Sequence, residues 1–107
     1  MKDVKLYLED ISESIAQIEK YTKKANQKMF INDVQLQDSV IRRLEIIGEA
    51  VKNIPLSFKN KHPEVPWKEI AGTRDILIHE YSGVNIERIW KTIKKDIPDL
   101  KKKIENF

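Results

Sequence analysis

VIRRLEIIGEAVKNI, residues 40–54, decides the fold of this chain. Its apolar side chains recur mainly at steps of three and four residues, the spacing that keeps them on one face of an α-helix. That inner face is formed by Val40, Ile41, Leu44, Ile47, Val51 and Ile54. The pattern predicts a helix over Asp33–Asn53, with Asn32 as its N-cap and Gln35 at capping-box spacing. Pro55 ends this helix, because proline has no backbone N–H to donate.

Gly48 lies inside this predicted helix, where glycine costs about 1 kcal/mol relative to alanine. Glycine also lets another backbone come close, since it has no side chain. We therefore expect a neighbouring helix to pack closely against Gly48, which would offset the cost.

The segments on either side of this helix carry weaker signals. A first helix is predicted over Val4–Lys24, and the polar run Asn26–Lys28 breaks its pattern. Leu56–Val65 is predicted to be a loop that contains one helical turn around Ser57–Lys61.

A third helix is predicted over Trp67–His79, because Pro66 suits the first turn of a helix. Ser82 and Gly83 are expected to end it. Trp67, like Trp90 further on, is interpreted as a core anchor rather than a platform for stacking bases.

A fourth helix is predicted from the N-cap Asn85 through Ile104, with a kink or break near Asp96 caused by Pro98. Its apolar stripe is formed by Ile86, Ile89, Trp90, Ile93, Ile97, Leu100 and Ile104. Together the four predicted helices indicate an all-α bundle.

The bulk composition fits one domain over residues 1–107, with 40% hydrophobic and 35% charged residues. No apolar run approaches the ~20 residues of a membrane span, and no signal peptide is visible. We therefore expect a cytoplasmic protein without membrane contact. The absence of cysteine excludes disulfides, a thiol nucleophile and a thiolate metal site.

The chain has a net charge of +3, and six of its lysines lie near the C-terminus. They are Lys91, Lys94, Lys95, Lys101, Lys102 and Lys103. The simpler interpretation is a solvated helix face that the helix dipole favours. The alternative is electrostatic attraction to an RNA backbone.

RDILIHEY, residues 74–81, combines an arginine, a histidine and a tyrosine. Arginine binds phosphate, and histidine, with an ordinary pKa of about 6.5, moves protons near neutral pH. The run therefore suggests metal-independent RNA cleavage, in which the ribose 2′-OH attacks the neighbouring phosphorus. His79 would act as general base or acid, and Arg74 would stabilise charge on the phosphoryl oxygens. The alternative is an ordinary helix whose dipole favours His79 at its end.

The sequence leaves alternatives for two other ionisable residues, Asp75 within this run and His62 before it. Asp75 could orient a histidine or an arginine across the cleft of such a site, or could simply be a surface residue. His62, the only other histidine, is expected to cap or pack a loop. No spacing of His62, His79 and the acidic residues resembles a metal-ligand set, so neither a metal nor another cofactor is expected.

Helical geometry separates the two proposed catalytic residues. His79 follows Arg74 by five residues, which places it about 140° around a continuous helix. Either the helix ends near His79, or a second copy of the protein supplies the missing partner.

The same run resembles a known family. Arg74, His79 and Tyr81 match the Arg-x4-His-x-Tyr motif of HepT-like toxins in the HEPN superfamily. RLEIIGEA (43–50), PWKEIAG (66–72) and YSGVN (81–85) are also similar to this family. The resemblance covers nearly the whole chain.

The resemblance implies a four- to five-helix HEPN-type bundle that forms a homodimer, with Arg74 and His79 in a cleft at the interface. It implies a ribonuclease toxin of a toxin–antitoxin system, whose partner is a minimal nucleotidyltransferase. That partner would silence the toxin by transferring AMP from ATP to Tyr81. Asp75 occupies a position that the motif leaves variable.

Two other functions remain open. The chain could be a non-catalytic HEPN subunit that binds the nucleotidyltransferase as its substrate or regulator, or a plain interaction bundle without chemistry.

Overall fold

The computed structural model describes residues 3–79 and 83–107, and every regular element within them is helical. In these two ranges seven α-helices follow one another, with a π-helical turn over Thr92–Asp96. They are α1 (Val4–Thr22), α2 (Gln27–Ile31), α3 (Val34–Asn53), α4 (Leu56–Lys61), α5 (Trp67–His79), α6 (Ile86–Lys91) and α7 (Ile97–Glu105). The all-α fold class is confirmed.

The helix α3 is the centre of the bundle. It packs against α1 and against α5, while α7 packs against α1. One continuous core fills the space between these helices and includes Ile11, Ile18, Val40, Val51 and Leu77. Trp67 and Trp90 are both buried in it, which confirms their interpretation as core anchors.

The close approach expected at Gly48 is present, and its neighbour is Arg74 of α5. A Cβ built on Gly48 would overlap the Cβ of Arg74 and lie 3.3 Å from its Cα. The glycine that costs helix stability in α3 therefore allows α5 to approach, and α5 carries the Arg74–His79 segment.

The segment between α1 and α3 was predicted wrongly. α1 has already ended at Thr22, and Asn26–Lys28 begins the short helix α2, because the Asn26 side chain accepts a hydrogen bond from Met29 N at 2.9 Å. The N-cap of α3 is Asp33 rather than Asn32, and it accepts from Leu36 N at 3.0 Å. The Asn32 amide instead donates to the carbonyl of Lys28 at 2.8 Å, at the end of α2.

The other boundaries follow the sequence closely. α1 ends at Thr22, two residues earlier than predicted. The turn predicted around Ser57–Lys61 is the helix α4. Asn85 caps α6 by accepting from Arg88 N at 3.1 Å, as predicted.

The break expected near Asp96 takes the form of the π-helical turn. Pro98 follows it as an early residue of α7, where its missing N–H is tolerated. Of the residues predicted to end α5, Ser82 lies outside the described part of the chain, as does Tyr81. None of the helices in residues 3–79 and 83–107 combines the length and apolar character of a membrane span.

Candidate active site

Arg74 is anchored where α5 crosses Gly48 of α3. Its Nη2 lies 2.9 Å from Oε2 of Glu49, the residue next to Gly48. Its Nη1 lies 3.1 Å from Oδ1 of Asp75. The guanidinium therefore has a carboxylate on each of its two terminal nitrogens.

The third guanidinium nitrogen, Nε of Arg74, is buried and has no hydrogen-bond partner among the described residues. About a quarter of the Arg74 side chain (24%) is exposed. Because Nε faces the packed interior, an incoming anion would have to bind at the edge formed by Nη1 and Nη2.

Asp75 is the point where two cations meet. The same Oδ1 that contacts Arg74 also accepts a hydrogen bond from Nζ of Lys52 on α3, at 3.1 Å. The hydrogen bond from Lys52, followed by that from Arg74, lowers the pKa of the Asp75 carboxyl below its ordinary value of 3.8. Asp75 therefore stays ionised throughout the neutral pH range, bound to both cations.

Sequence reasoning missed Glu49 and Lys52 as members of this cluster. A signal was present, since Gly48 and Lys52 are four residues apart and so share a face of α3. Once Gly48 is taken as the contact with α5, Lys52 is placed beside the same helix. Of the two roles considered for Asp75, the structure supports contact with an arginine, and that arginine belongs to its own chain.

A cavity of about 290 Å³ lies on the Arg74 side of this cluster, between α1, α3 and α5. Its charged lining comes from Asp10, Arg42, Glu45, Glu49 and Arg74. The guanidinium is therefore next to open space as well as to its carboxylate partners.

His79 is the last described residue of α5 and is exposed. No hydrogen bond or ion pair joins it to Arg74 within the part of the chain that the structure describes. Because the helix is continuous between them, the two side chains leave it on different faces. Tyr81, the predicted acceptor of AMP, lies outside the described residues.

A family model described as ribonuclease HepT-like matches residues 11–107. The chain belongs to the HepT-like ribonuclease family. RNase activity is the activity that this membership assigns to it, and the match agrees with the resemblance carried by Arg74, His79 and Tyr81.

Curated relatives of this HepT-like ribonuclease span nearly its full length. "Probable ribonuclease HepT" of Thermococcus cleftensis is 55% identical over 101 residues, which cover 94% of this chain and 92% of the relative. A protein of Caldanaerobacter subterraneus subsp. tengcongensis, whose name carries an RNase assignment, is 50% identical over 107 residues (100% of this chain and 96% of the relative).

A relative from Methanocaldococcus jannaschii is longer. Its name couples gamma-glutamylcyclotransferase with an RNase assignment, and it is 54% identical over 103 residues. These cover 96% of this chain but 46% of the relative, so the chain spans about half of that protein. No solved structure matches the chain at a significant level.

His62, the other histidine of this HepT-like ribonuclease, has a packing role, as expected. Its ring packs against those of Phe58 and Phe107, at centroid distances of 4.6 and 4.2 Å. Its carbonyl accepts a hydrogen bond from Nε1 of Trp67 at 2.9 Å.

Three of the C-terminal lysines contact other side chains of the bundle. Nζ of Lys101 lies 3.1 Å from Oε1 of Glu19, and Nζ of Lys103 lies 2.9 Å from Oδ2 of Asp99. Lys94 lies over the ring of Trp90, 4.7 Å from its centroid. These contacts favour the interpretation of a solvated helix face.

Proposed function

We propose that this HepT-like ribonuclease cleaves RNA without a metal, with Arg74 and His79 as catalytic residues in a cleft between two copies of the chain. The observation that carries the proposal is the arrangement on α5. Arg74 is fixed at the helix crossing and lines an open cavity, and His79 is exposed at the end of the same helix.

The reaction needs only these two groups. A base, His79 in one of the two copies, removes the proton of the ribose 2′-OH, and the 2′ oxygen attacks the adjacent phosphorus. The bond from phosphorus to the 5′ oxygen breaks, and that oxygen takes up the proton that the same His79 has accepted. The products are a 2′,3′-cyclic phosphate and a 5′-hydroxyl. Arg74 stabilises the negative charge that develops on the phosphoryl oxygens.

The dimer is proposed because one copy does not bring the two side chains together. A second copy placed against α5 would face the Arg74 of one chain toward the His79 of the other. Ile76 (55% exposed) and Ile78 (40% exposed) lie between them in sequence and offer apolar surface for such a contact.

We further propose that the protein acts as a toxin and that a nucleotidyltransferase encoded beside it is its antitoxin. The hydroxyl oxygen of Tyr81 would attack the α-phosphorus of ATP, and pyrophosphate would leave. The added AMP brings a negative charge and bulk close to His79, so it would repel RNA phosphate. The support is the match of Tyr81 to the motif.

RNA cleavage in EDTA tests the nuclease. Wild-type protein is expected to cut single-stranded RNA and leave 2′,3′-cyclic phosphate ends, whereas Arg74→Ala and His79→Ala are expected to lose at least about 100-fold in rate. His62→Gln is the matched histidine control and should cleave normally. Circular dichroism confirms that each variant is folded. Unaltered cleavage by His79→Ala would show that the assignment is wrong.

Mixing two inactive variants tests the shared cleft. If each site takes Arg74 from one copy and His79 from the other, Arg74→Ala and His79→Ala together form heterodimers with one intact site. An equimolar mixture after subunit exchange should recover about a quarter of wild-type activity. No recovery, despite exchange seen by native mass spectrometry, would place both residues of a site in one chain.

Intact mass tests the switch. Incubation with the partner nucleotidyltransferase and ATP should add AMP to wild type but not to Tyr81→Phe, and the modified protein should stop cleaving RNA. A protein that gains AMP but never cleaves RNA would instead be a non-catalytic substrate of the partner.

A further inference from the structure

Two cations of the site converge on one oxygen atom. Nη1 of Arg74 and Nζ of Lys52 each lie 3.1 Å from Oδ1 of Asp75. The two cations come from different helices, α5 and α3, that meet at Gly48. They form a fork for an anionic oxygen, and in this state the protein's own carboxylate fills it.

A carboxylate oxygen and a phosphate oxygen bind the same kinds of hydrogen-bond donor. Both accept short, charge-assisted hydrogen bonds from guanidinium and ammonium groups. An ammonium and a guanidinium held this close to one oxygen would also suit a non-bridging oxygen of a phosphodiester.

We propose that Lys52 is a further substrate-binding residue, which together with Nη1 of Arg74 binds one phosphate of the RNA. In the absence of RNA, the Asp75 carboxylate occupies the fork as an internal competitor. This inference rests on the proposed function, since it takes RNA as the substrate.

The fork is built so that Asp75 can leave it without dismantling Arg74. Packing against Gly48 fixes the base of the Arg74 side chain, and Glu49 contacts its other terminal nitrogen, so Arg74 keeps its position when Nη1 changes partner. The side chains of Lys52 and Asp75 are 42% and 47% exposed. Ion pairs this exposed are weak and readily exchanged.

The surroundings of Asp75 leave space for a polymer. Asp75 lies at the edge of a broad groove of about 990 Å³ along α4 and α5. The groove lining includes Lys59 and Lys68, together with Glu64 and Glu69. An RNA strand that enters along this groove would reach the fork from the side of Asp75.

The first measurement compares Lys52 variants in RNA cleavage. Lys52→Ala is expected to raise KM about tenfold with little change in kcat, and to lower the slope of log affinity against log salt by about one unit. Lys52→Arg, which keeps the cation, should retain most of the affinity. The matched control is Lys20→Ala, which removes an exposed lysine near the far end of α1.

Asp75→Asn separates phosphate binding from simple neutralisation. Alone, it should lower KM severalfold, because the competitor loses its charge. If Lys52 binds phosphate, Lys52→Ala still raises KM about tenfold in the Asp75→Asn background. If Lys52 serves only to neutralise Asp75, the double variant behaves like Asp75→Asn, and the inference is overturned.

Binding of labelled RNA in the His79→Ala background keeps this inference distinct from the nuclease proposal. Fluorescence anisotropy should show the same dependence on Lys52 and Asp75 when no cleavage occurs. Wild type that binds RNA through the fork but does not cut it would overturn the nuclease alone. If wild type cuts RNA and Lys52→Ala binds RNA as tightly as wild type, the fork alone is overturned.

Discussion

The backbone of Gly48 lies directly against the side chain of Arg74, with no space between them for a methyl group. This contact sets the position of α5 on α3. It also brings Arg74 to Glu49, the next residue of α3, and Asp75 to Lys52, one turn further along. The candidate active site is therefore a direct result of one helix crossing.

Gly48→Ala is expected to destabilise the protein. A methyl group there would overlap the Cβ of Arg74, and neither helix can shift without disturbing the core. Overpacking of this kind costs about 1–3 kcal/mol. Replacing a helical glycine by alanine gains about 1 kcal/mol in helix propensity, so we expect a net loss of stability. Urea denaturation measures the change in the free energy of unfolding.

Gly72→Ala is the matched control, since a Cβ on Gly72 meets nothing within 4 Å. It lies inside α5 and should stabilise the protein by about 0.5–1 kcal/mol. Equal stability gains in both variants would contradict the close approach at Gly48.

The carboxyl of Asp75 is expected to titrate below pH 3.8, its ordinary midpoint. Because the folded-state pKa is lowered, ion pairing by Asp75 stabilises the fold above the unfolded-state pKa and is lost as pH falls through the lowered value. Carbon-13 NMR of the side-chain carboxyl measures the midpoint. Lys52→Ala should move it back toward 3.8, because the Lys52 hydrogen bond is the largest cause of the shift.

Lys101→Ala removes a lysine that pairs with Glu19 instead. It should leave the Asp75 midpoint where it is in wild type. A midpoint that is insensitive to Lys52 would show that the contact at Oδ1 does not persist in solution.

Glu49→Gln is expected to weaken RNA cleavage while preserving the fold. The Glu49 carboxylate orients Arg74 through Nη2 and is itself 55% exposed. Its loss should lower kcat/KM up to about fivefold, which corresponds to about 1 kcal/mol of transition-state stabilisation. Glu19→Gln, which breaks the half-exposed pair with Lys101, is the control for loss of a surface charge and should cleave normally. Cleavage by Glu49→Gln at the wild-type rate would mean that Arg74 is positioned by packing alone.

Phe30→Ala is expected to be among the most damaging core substitutions. Phe30 is fully buried, and its ring centroid lies 5.3 Å from that of Trp90, which links α2 to α6. Truncation of a buried phenylalanine costs about 3–5 kcal/mol. Its neighbour Met29 is 51% exposed, so Met29→Ala should change stability by less than about 0.5 kcal/mol. Thermal unfolding of the two variants gives the comparison, and similar melting temperatures would argue against burial of α2.

The long helices could be predicted because their signal is local. An apolar stripe that repeats every three to four residues must be buried along one face, whatever it packs against. The bounds of α3 and the all-α class followed from this. The bounds of α5 followed from Pro66 before it and from the stop signal after it, and the family resemblance came separately, from the motif that contains Arg74, His79 and Tyr81. The expected contact at Gly48 also came from a local fact, the cost of glycine in a helix.

The helix α2 was missed because five residues are too few to show a period. Part of its stability comes from a side chain outside it. The amide of Gln37, buried in α3, donates to the carbonyls of Phe30 and Ile31 at 2.9 Å each and satisfies the end of the short helix. No pattern within residues 27–31 contains that information.

The sequence alone identified Arg74 and His79 as the side chains proposed to carry the chemistry, because a permanent cation and an ordinary pKa near neutrality are properties of these residue types. Only the tertiary structure decided their partners. Lys52 and Asp75 are 23 residues apart, and they meet because α5 crosses α3 at a glycine. Coulomb interaction depends on distance in space, and that distance was set by backbone packing at Gly48.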